Sequence, residues 1–161
     1  WQQHPEWPTL SVVQNAKTYH QSSVAPVKAS NIEHILEHLD DTNLKHLQNS
    51  HRIHLCPSEA EGFGHCIAEA MSCRALTLTT NAPPMNELIA PERGVLVAYS
   101  RSTPQCAGEA FFVSPENLKD KVHKILNMSD AQISQLGESA RSWYEINDRE
   151  FRKTIAVALS E

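Results

Sequence analysis

What most limits the fold of this chain is an alternation: short apolar, β-branched runs separated by stretches of helical periodicity. "LSVVQ" (10–14), "IEHIL" (32–36), "HRIHLCPS" (51–58), "ALTLTT" (75–80) and "GVLVAYS" (94–100) read as strands. Between them, Asp40 or Asp41 offers an N-cap to a helix with Leu44 and Leu47 on one face. A second helix runs from about Gly64 to Cys73, with Ile67, Ala70 and Met71 at helical spacing, and "APPMNELIA" reads as a turn with a short helix. Strands alternating with helices predict a doubly wound, mostly parallel α/β sheet covered on both faces, with ligands at the carboxyl ends of its strands.

The rest is read with less contrast. Residues 15 to 31 are polar and read as loop, and residues 101 to 113 as an inserted loop around the pair-forming run "AFFV". Ser114-Pro115 starts a helix with the stripe Leu118, Val122, Ile125 and Leu126. Ser129-x-x-Gln132 and Asn147-x-x-Glu150 are both capping-box patterns and predict two more helices. Ile133, Leu136, Ala140 and Trp143 line the first, Phe151, Ile155 and Leu159 the second. Gly137 inside the first weakens it by about 1 kcal/mol relative to alanine. Trp143, Tyr144 and Phe151 are read as core or interdomain packing, and Trp1 and Trp7 as exposed.

Composition narrows the function classes. With 161 residues, 40% hydrophobic and 20% charged, the chain is the size of one globular domain. A net charge of −5 without a Lys/Arg cluster argues against nucleic acid as a partner. No apolar run reaches the roughly 18 residues of a membrane span, and no signal-peptide pattern opens the chain, so a cytoplasmic setting is expected. The first residue is Trp1 rather than methionine, which reads as a piece of a longer protein. Cys56, Cys66, Cys73 and Cys106 show no zinc spacing and are expected as reduced thiols. His51 and His54, on a strand, point to opposite faces, and His34 and His38 in an extended segment lie roughly 13 Å apart. No metal site is expected.

The chemistry concentrates in "PSEAEGFGHCIAEAMS" (57–72), where Glu61 and Glu69 flank Gly62-Phe63-Gly64. The chain leaves a strand, turns, and starts a helix. Gly62 and Gly64 allow the φ values such a turn needs and let a ligand approach the backbone. The first helix amides, around Gly64 to Ile67, have no intrahelical acceptors and form an anion site suited to a pyrophosphate. Glu69 lies roughly 7–8 Å along the axis from the helix start. Carboxylates accept paired hydroxyls, so a nucleotide-sugar fits: hexose at Glu61, diphosphate at the helix start, ribose at Glu69. The residues alone leave open the plainer reading, in which the glycines serve only the turn and the two acids are solvated.

"PSEAEGFGHCIAEAMSC" followed by "ALTLTTNAPPMNELIAPERGVLV" resembles the donor-binding C-terminal half of retaining GT-B glycosyltransferases, in particular glycosyltransferase family 4. Glu61 and Glu69 fall on the family's two glutamates, Gly62-Phe63-Gly64 on its glycine loop, and Glu87-Leu88 on its E-L pair. The resemblance extends from about Thr9 through the C-terminal helices. It implies a Rossmann-like domain, residues 1–161 forming one partial donor-binding domain, and transfer of a hexose from a nucleoside-diphosphate-sugar with retention. Glu61 would bond the donor sugar near the reacting face and act catalytically. Amides of Phe63, Gly64 and His65 would bond sugar and β-phosphate, with Gly62, Cys66 and Ile67 beside them; Glu69 would take the ribose diol. The base would sit near Leu36 to His38. No cofactor and no metal is implied, because amides and basic side chains stabilise the leaving diphosphate. The implied partners are the sugar donor and an N-terminal acceptor-binding domain.

The departures from the family pattern are Arg74 and Leu76, which replace a glycine and a proline after the helix, and Pro83-Pro84, which replace a glycine pair. The family's first strand-helix unit, with its arginine and lysine facing the phosphates, has no counterpart here, so the piece alone is expected to be inactive. Two other readings follow: a degenerate domain of this fold kept for binding or assembly, and, less close to the "EGFG…EAM" wording, a nucleotide-sugar epimerase.

Overall fold

The computed structural model describes residues 1–21, 27–106 and 108–160. The chain divides into two compact units, Trp1–Leu44 and Lys45–Glu161.

In the first unit, β1 (Leu10–Val13) and β2 (Ile32–Ile35) pair in parallel with Leu10 opposite Ile32. Parallel neighbours need a crossover. The segment read as loop from 15 to 31 supplies part of it as a helix, α1 (Ala16–Gln21), begun by the Asn15 side chain accepting from the Lys17 amide at 2.8 Å. Residues 22–26 of that segment lie outside the described residues. The two tryptophans are not simply exposed. Trp7 is buried at 8% exposure, stacked on His4 at 4.3 Å and met edge-on by Trp1 at 4.9 Å. Asn31 ties the turn down by donating to the His4 carbonyl at 2.8 Å. The aromatic rings before β1 thus cover one another.

The unit boundary falls within α2 (Asp41–Ser50), whose N-cap is Asp40, accepting from the Asn43 amide at 2.8 Å. In the second unit β3 (Ile53–Cys56), β4 (Leu76–Thr80) and β5 (Val95–Val97) form a parallel sheet in the order β3-β4-β5. Every residue of the central strand β4 is buried, as both faces of a covered parallel sheet require. The crossovers are α3 (His65–Ser72) and α4 (Met85–Leu88), and α4 follows the cis Pro83–Pro84 bond. Ile67, Met71, Ala82, Met85, Ile89 and Ala140 make the core, with Trp143 and Tyr144 packed against it. The architecture is the expected α/β one, with parallel, Rossmann-like βαβ connections.

Three expectations are corrected in this unit. "GVLVAYS" is not one strand: β5 ends at Val97, and β6 (Tyr99–Gln105) turns back as an antiparallel hairpin with β7 (Gly108–Val113). The inserted loop is therefore a two-stranded ribbon, steadied by Arg101 over the Phe112 ring at 3.8 Å and Tyr99 against Phe111 at 5.0 Å. After α5 (Pro115–Leu126), capped by Ser114, the chain forms a single helix α6 (Asp130–Ala158) of 29 residues instead of two. The Ser129/Gln132 capping box is present, whereas Asn147 sits inside the helix. No proline or glycine separates 138 from 158, and Arg141–Glu145 and Arg152–Asp148 pair at i,i+4 on either side of the supposed break. Phe151 belongs to no core there; it is 56% exposed.

Gly137 also has a tertiary reason. A Cβ built there would lie 2.0 Å from the Arg74 carbonyl oxygen, so α6 crosses the end of α3 backbone against backbone. Arg74 itself is left-handed, φ 57°. Its amide reaches the Met71 carbonyl at 3.1 Å and that of Ala75 reaches Ala70 at 3.1 Å, the paired closure of a Schellman turn. Where the resemblance expects a glycine, an arginine takes up the left-handed conformation that glycine favours.

Candidate functional site

The loop from Pro57 to Gly64 joins the carboxyl end of β3 to α3, where a parallel sheet places its ligands. It is tied to the sheet. Thr79 donates to the Cys56 carbonyl at 2.8 Å and Thr80 to that of Ser58 at 2.6 Å; both threonines are buried on β4. From the other side, the Phe111 amide of β7 donates to the Glu59 carbonyl at 2.7 Å. The hairpin thus clasps the loop that carries Glu61.

Glu61 is half-buried, and its Oε1 accepts from the Ser58 hydroxyl at 2.7 Å and from the Cys66 thiol at 3.5 Å. A hydroxyl at i−3 and a thiol on the first helical turn hold one carboxylate oxygen; a carboxylate has about four acceptor positions in all. Behind them Cys56, half-buried at the end of β3 and hydrogen-bonded to Cys66, has its thiol pushed far above the ordinary cysteine range and stays protonated.

The two glycines do different work. Gly64 is the N-cap of α3 in the left-handed region, φ 79°, and a Cβ there would sit 2.6 Å from Leu88 Cδ1. Gly62 would meet nothing within 4 Å and lies outside that region. Phe63 is 64% exposed, its ring 4.8 Å from that of His65. No side chain caps α3, and no acid occupies its first turn. The first amides, those of His65, Cys66 and Ile67, therefore lack an intrahelical acceptor, while the Gly64 carbonyl accepts from Ala68 at 2.9 Å. Ile67 is 0% exposed, a core side chain whose only polar offering is its backbone.

Glu69 is on the exposed side of α3 and belongs to a second network. Its Oε2 accepts from the Gln48 side-chain amide of α2 at 2.7 Å. Gln48 is fixed in turn by His54 on β3, whose Nε2 donates to the Gln48 carbonyl at 2.9 Å. Burial lowers the His54 pKa, which keeps the ring neutral. The structure therefore brings Glu61, Gly62, Phe63, Gly64, His65 and Cys66 into one loop and helix start, with Glu69 one turn further along the helix.

The sequence model of the family Glycosyl transferases group 1 matches residues 17–143, well over half of the chain. The chain belongs to the glycosyl transferases group 1. Among solved structures it is similar to the C-terminal domain of a glycosyl transferase group 1 family protein (LpcC) from Francisella tularensis. That match has a TM-score of 0.53 at 24% identity and covers 70% of this chain and 51% of that one. It is similar also to sucrose-phosphate synthase from Thermosynechococcus elongatus, with a TM-score of 0.56 at 20% identity, over 79% of this chain and 31% of that one. The chain thus spans about half, or less, of the structures it matches, and at these identities they establish the fold. No curated protein sequence matches it.

Within this group 1 domain, sequence reasoning missed Ser58, Gln48 and Phe111. Ser58 carried a local signal, since Ser-x-x-Glu puts a hydroxyl within reach of Glu61. Gln48 lies 21 residues from Glu69 and Phe111 lies 52 from Glu59, so only the folded chain joins them. Among the described residues, no three His, Cys, Asp or Glu side chains gather where a metal ion could be held, and no helix is long and apolar enough to cross a membrane.

Proposed function

We propose that the chain is the nucleotide-sugar-binding half of a retaining glycosyltransferase that transfers a hexose from a nucleoside-diphosphate-sugar without a metal ion. Residues 1–161 belong to that single half, which works in the cytoplasm with an N-terminal acceptor-binding domain. What carries the reading is the uncapped start of α3 behind the left-handed Gly64, with Glu61 held at its mouth by Ser58. The diphosphate would take the amides of Phe63, Gly64, His65 and the next residues of the first turn. Those amides and the helix dipole would offset the charge that develops on the leaving group. Glu61 would bond the sugar hydroxyls beside the reacting carbon, and Glu69 the ribose diol.

The degenerate-domain alternative rested partly on Arg74. Arg74 keeps the turn closed from a left-handed backbone, which weakens that ground for the alternative. The experiment is calorimetric titration of the full-length protein with UDP-, GDP- and ADP-sugars, paired with a product assay. One donor should bind, Glu69→Ala should weaken it about tenfold or more, as loss of charged hydrogen bonds does, and Glu61→Ala should abolish product. Silence with every donor, or undiminished product from Glu61→Ala, refutes the proposal.

A further inference from the structure

A carboxylate that reads a diol must be held in one orientation, and Glu69 is exposed on a helix, where its side chain has several rotamers. The geometry points to Gln48 as the residue that holds it: we infer that Gln48 is a positioning residue for Glu69 and so sets how strongly the site prefers a ribonucleoside diphosphate over its deoxy counterpart. The inference rests on the nucleotide-sugar reading above and adds to it a residue that the motif does not contain.

The chain of contacts runs from the sheet outward. His54 stands on β3, and its burial keeps the ring neutral, which leaves Nε2–H to donate to the Gln48 carbonyl at 2.9 Å. One residue earlier on α2, the Leu47 carbonyl takes the His51 ring at 2.8 Å and the Ser50 hydroxyl at 2.7 Å. The last carbonyls of a helix have no intrahelical donors, and here side chains satisfy them, so the final turn of α2 is anchored. From that turn the Gln48 amide donates to Glu69 Oε2 at 2.7 Å. It occupies one of the carboxylate's roughly four acceptor positions and fixes the plane in which the others lie. An amide suits this role: it donates without neutralising the carboxylate and without bringing a second charge beside a diphosphate.

The test uses the full-length protein, with ADP, GDP and UDP and their 2′-deoxy forms as calorimetric probes. The wild type should bind its preferred ribonucleotide about tenfold or more tighter than the deoxy form, as loss of a hydrogen bond to a charged group does. In Gln48→Leu, similar in size but without a donor, that ratio should fall to about threefold or less, with deoxy binding, which keeps only the 3′-hydroxyl, falling by less than ribonucleotide binding. Gln48→Glu, which sets like charges together, should lose the preference as well. A purely structural role for Gln48 would weaken both forms equally and leave the ratio intact, which overturns the inference. A wild type with no ribose preference, or a preference that Glu69→Ala removes and Gln48→Leu does not, also overturns it. Failure of every diphosphate to bind the wild type refutes the underlying function instead.

Discussion

Adding one methyl group at Gly137 tests how α6 is seated on the second unit. On helix propensity alone, Gly137→Ala should stabilise an interior position by about 1 kcal/mol. The tertiary structure predicts the opposite. The new Cβ would fall 2.0 Å from the Arg74 carbonyl oxygen and 2.9 Å from its carbon. Ordinary contact needs about 3.5 Å, so a gap of about 1.5 Å has to open. The obstacle is backbone, not the end of a side chain that could swing away. Arg74 is locked by the two closing hydrogen bonds of its turn and leads directly into the fully buried β4. Opening the gap would also lift Ala140 from Ile67 and Met71, its partners in the core. Methyl groups forced into packed sites cost about 1–3 kcal/mol, and a backbone clash this close lies at the upper end. After the propensity gain is deducted, a net loss of about 2 kcal/mol remains, or a fall of about 4–8 °C in Tm for a chain of this size. Urea unfolding with an unchanged slope would show it as an earlier midpoint. Gln135→Ala, exposed on the same helix, should stay within about 0.5 kcal/mol of the wild type. A Gly137→Ala protein as stable as the wild type, or more so, would refute the close crossing.

Two further outcomes are expected. Gly64→Ala should cut diphosphate binding by about tenfold or more, because a methyl at a left-handed residue would also run into Leu88 Cδ1; Gly62→Ala, facing open space, should bind as the wild type does in the same titration. Stability should fall as pH drops: His54 has a lowered folded pKa, so below about 6.5 the unfolded chain takes up the proton first, and the loss is complete only below the folded value. His54→Gln should flatten that part of a stability-against-pH curve measured by urea unfolding, and an unchanged curve would count against a buried neutral ring.

How much was legible depended on how local the cause was. The strands Leu10–Val13 and Leu76–Thr80 and the caps Ser114 and Ser129 could be read because side-chain period and capping act over a few residues. Asn147-x-x-Glu150 carried the same local signal and was misleading, since no proline or glycine lies near it to stop α6, which continues through it. The hairpin Tyr99–Val113 was blurred because its first strand is mostly exposed and offers no clear apolar alternation. At the site, the motif named Glu61, Glu69 and the glycine loop but treated Gly62 and Gly64 alike; the left-handed φ and the nearness of Leu88 distinguish them.

By itself, then, the sequence determined the alternation of strands and helices, the start of a helix near residue 64 and the presence of acids on either side of it, because spacing along the chain suffices for these. Tertiary structure alone decided which glycine carries the turn, why Gly137 must have no side chain, and which neighbours hold each acid. Those answers depend on groups far apart in sequence, such as Gln48 with Glu69 and Gly137 with Arg74, whose meeting is a property of the folded chain.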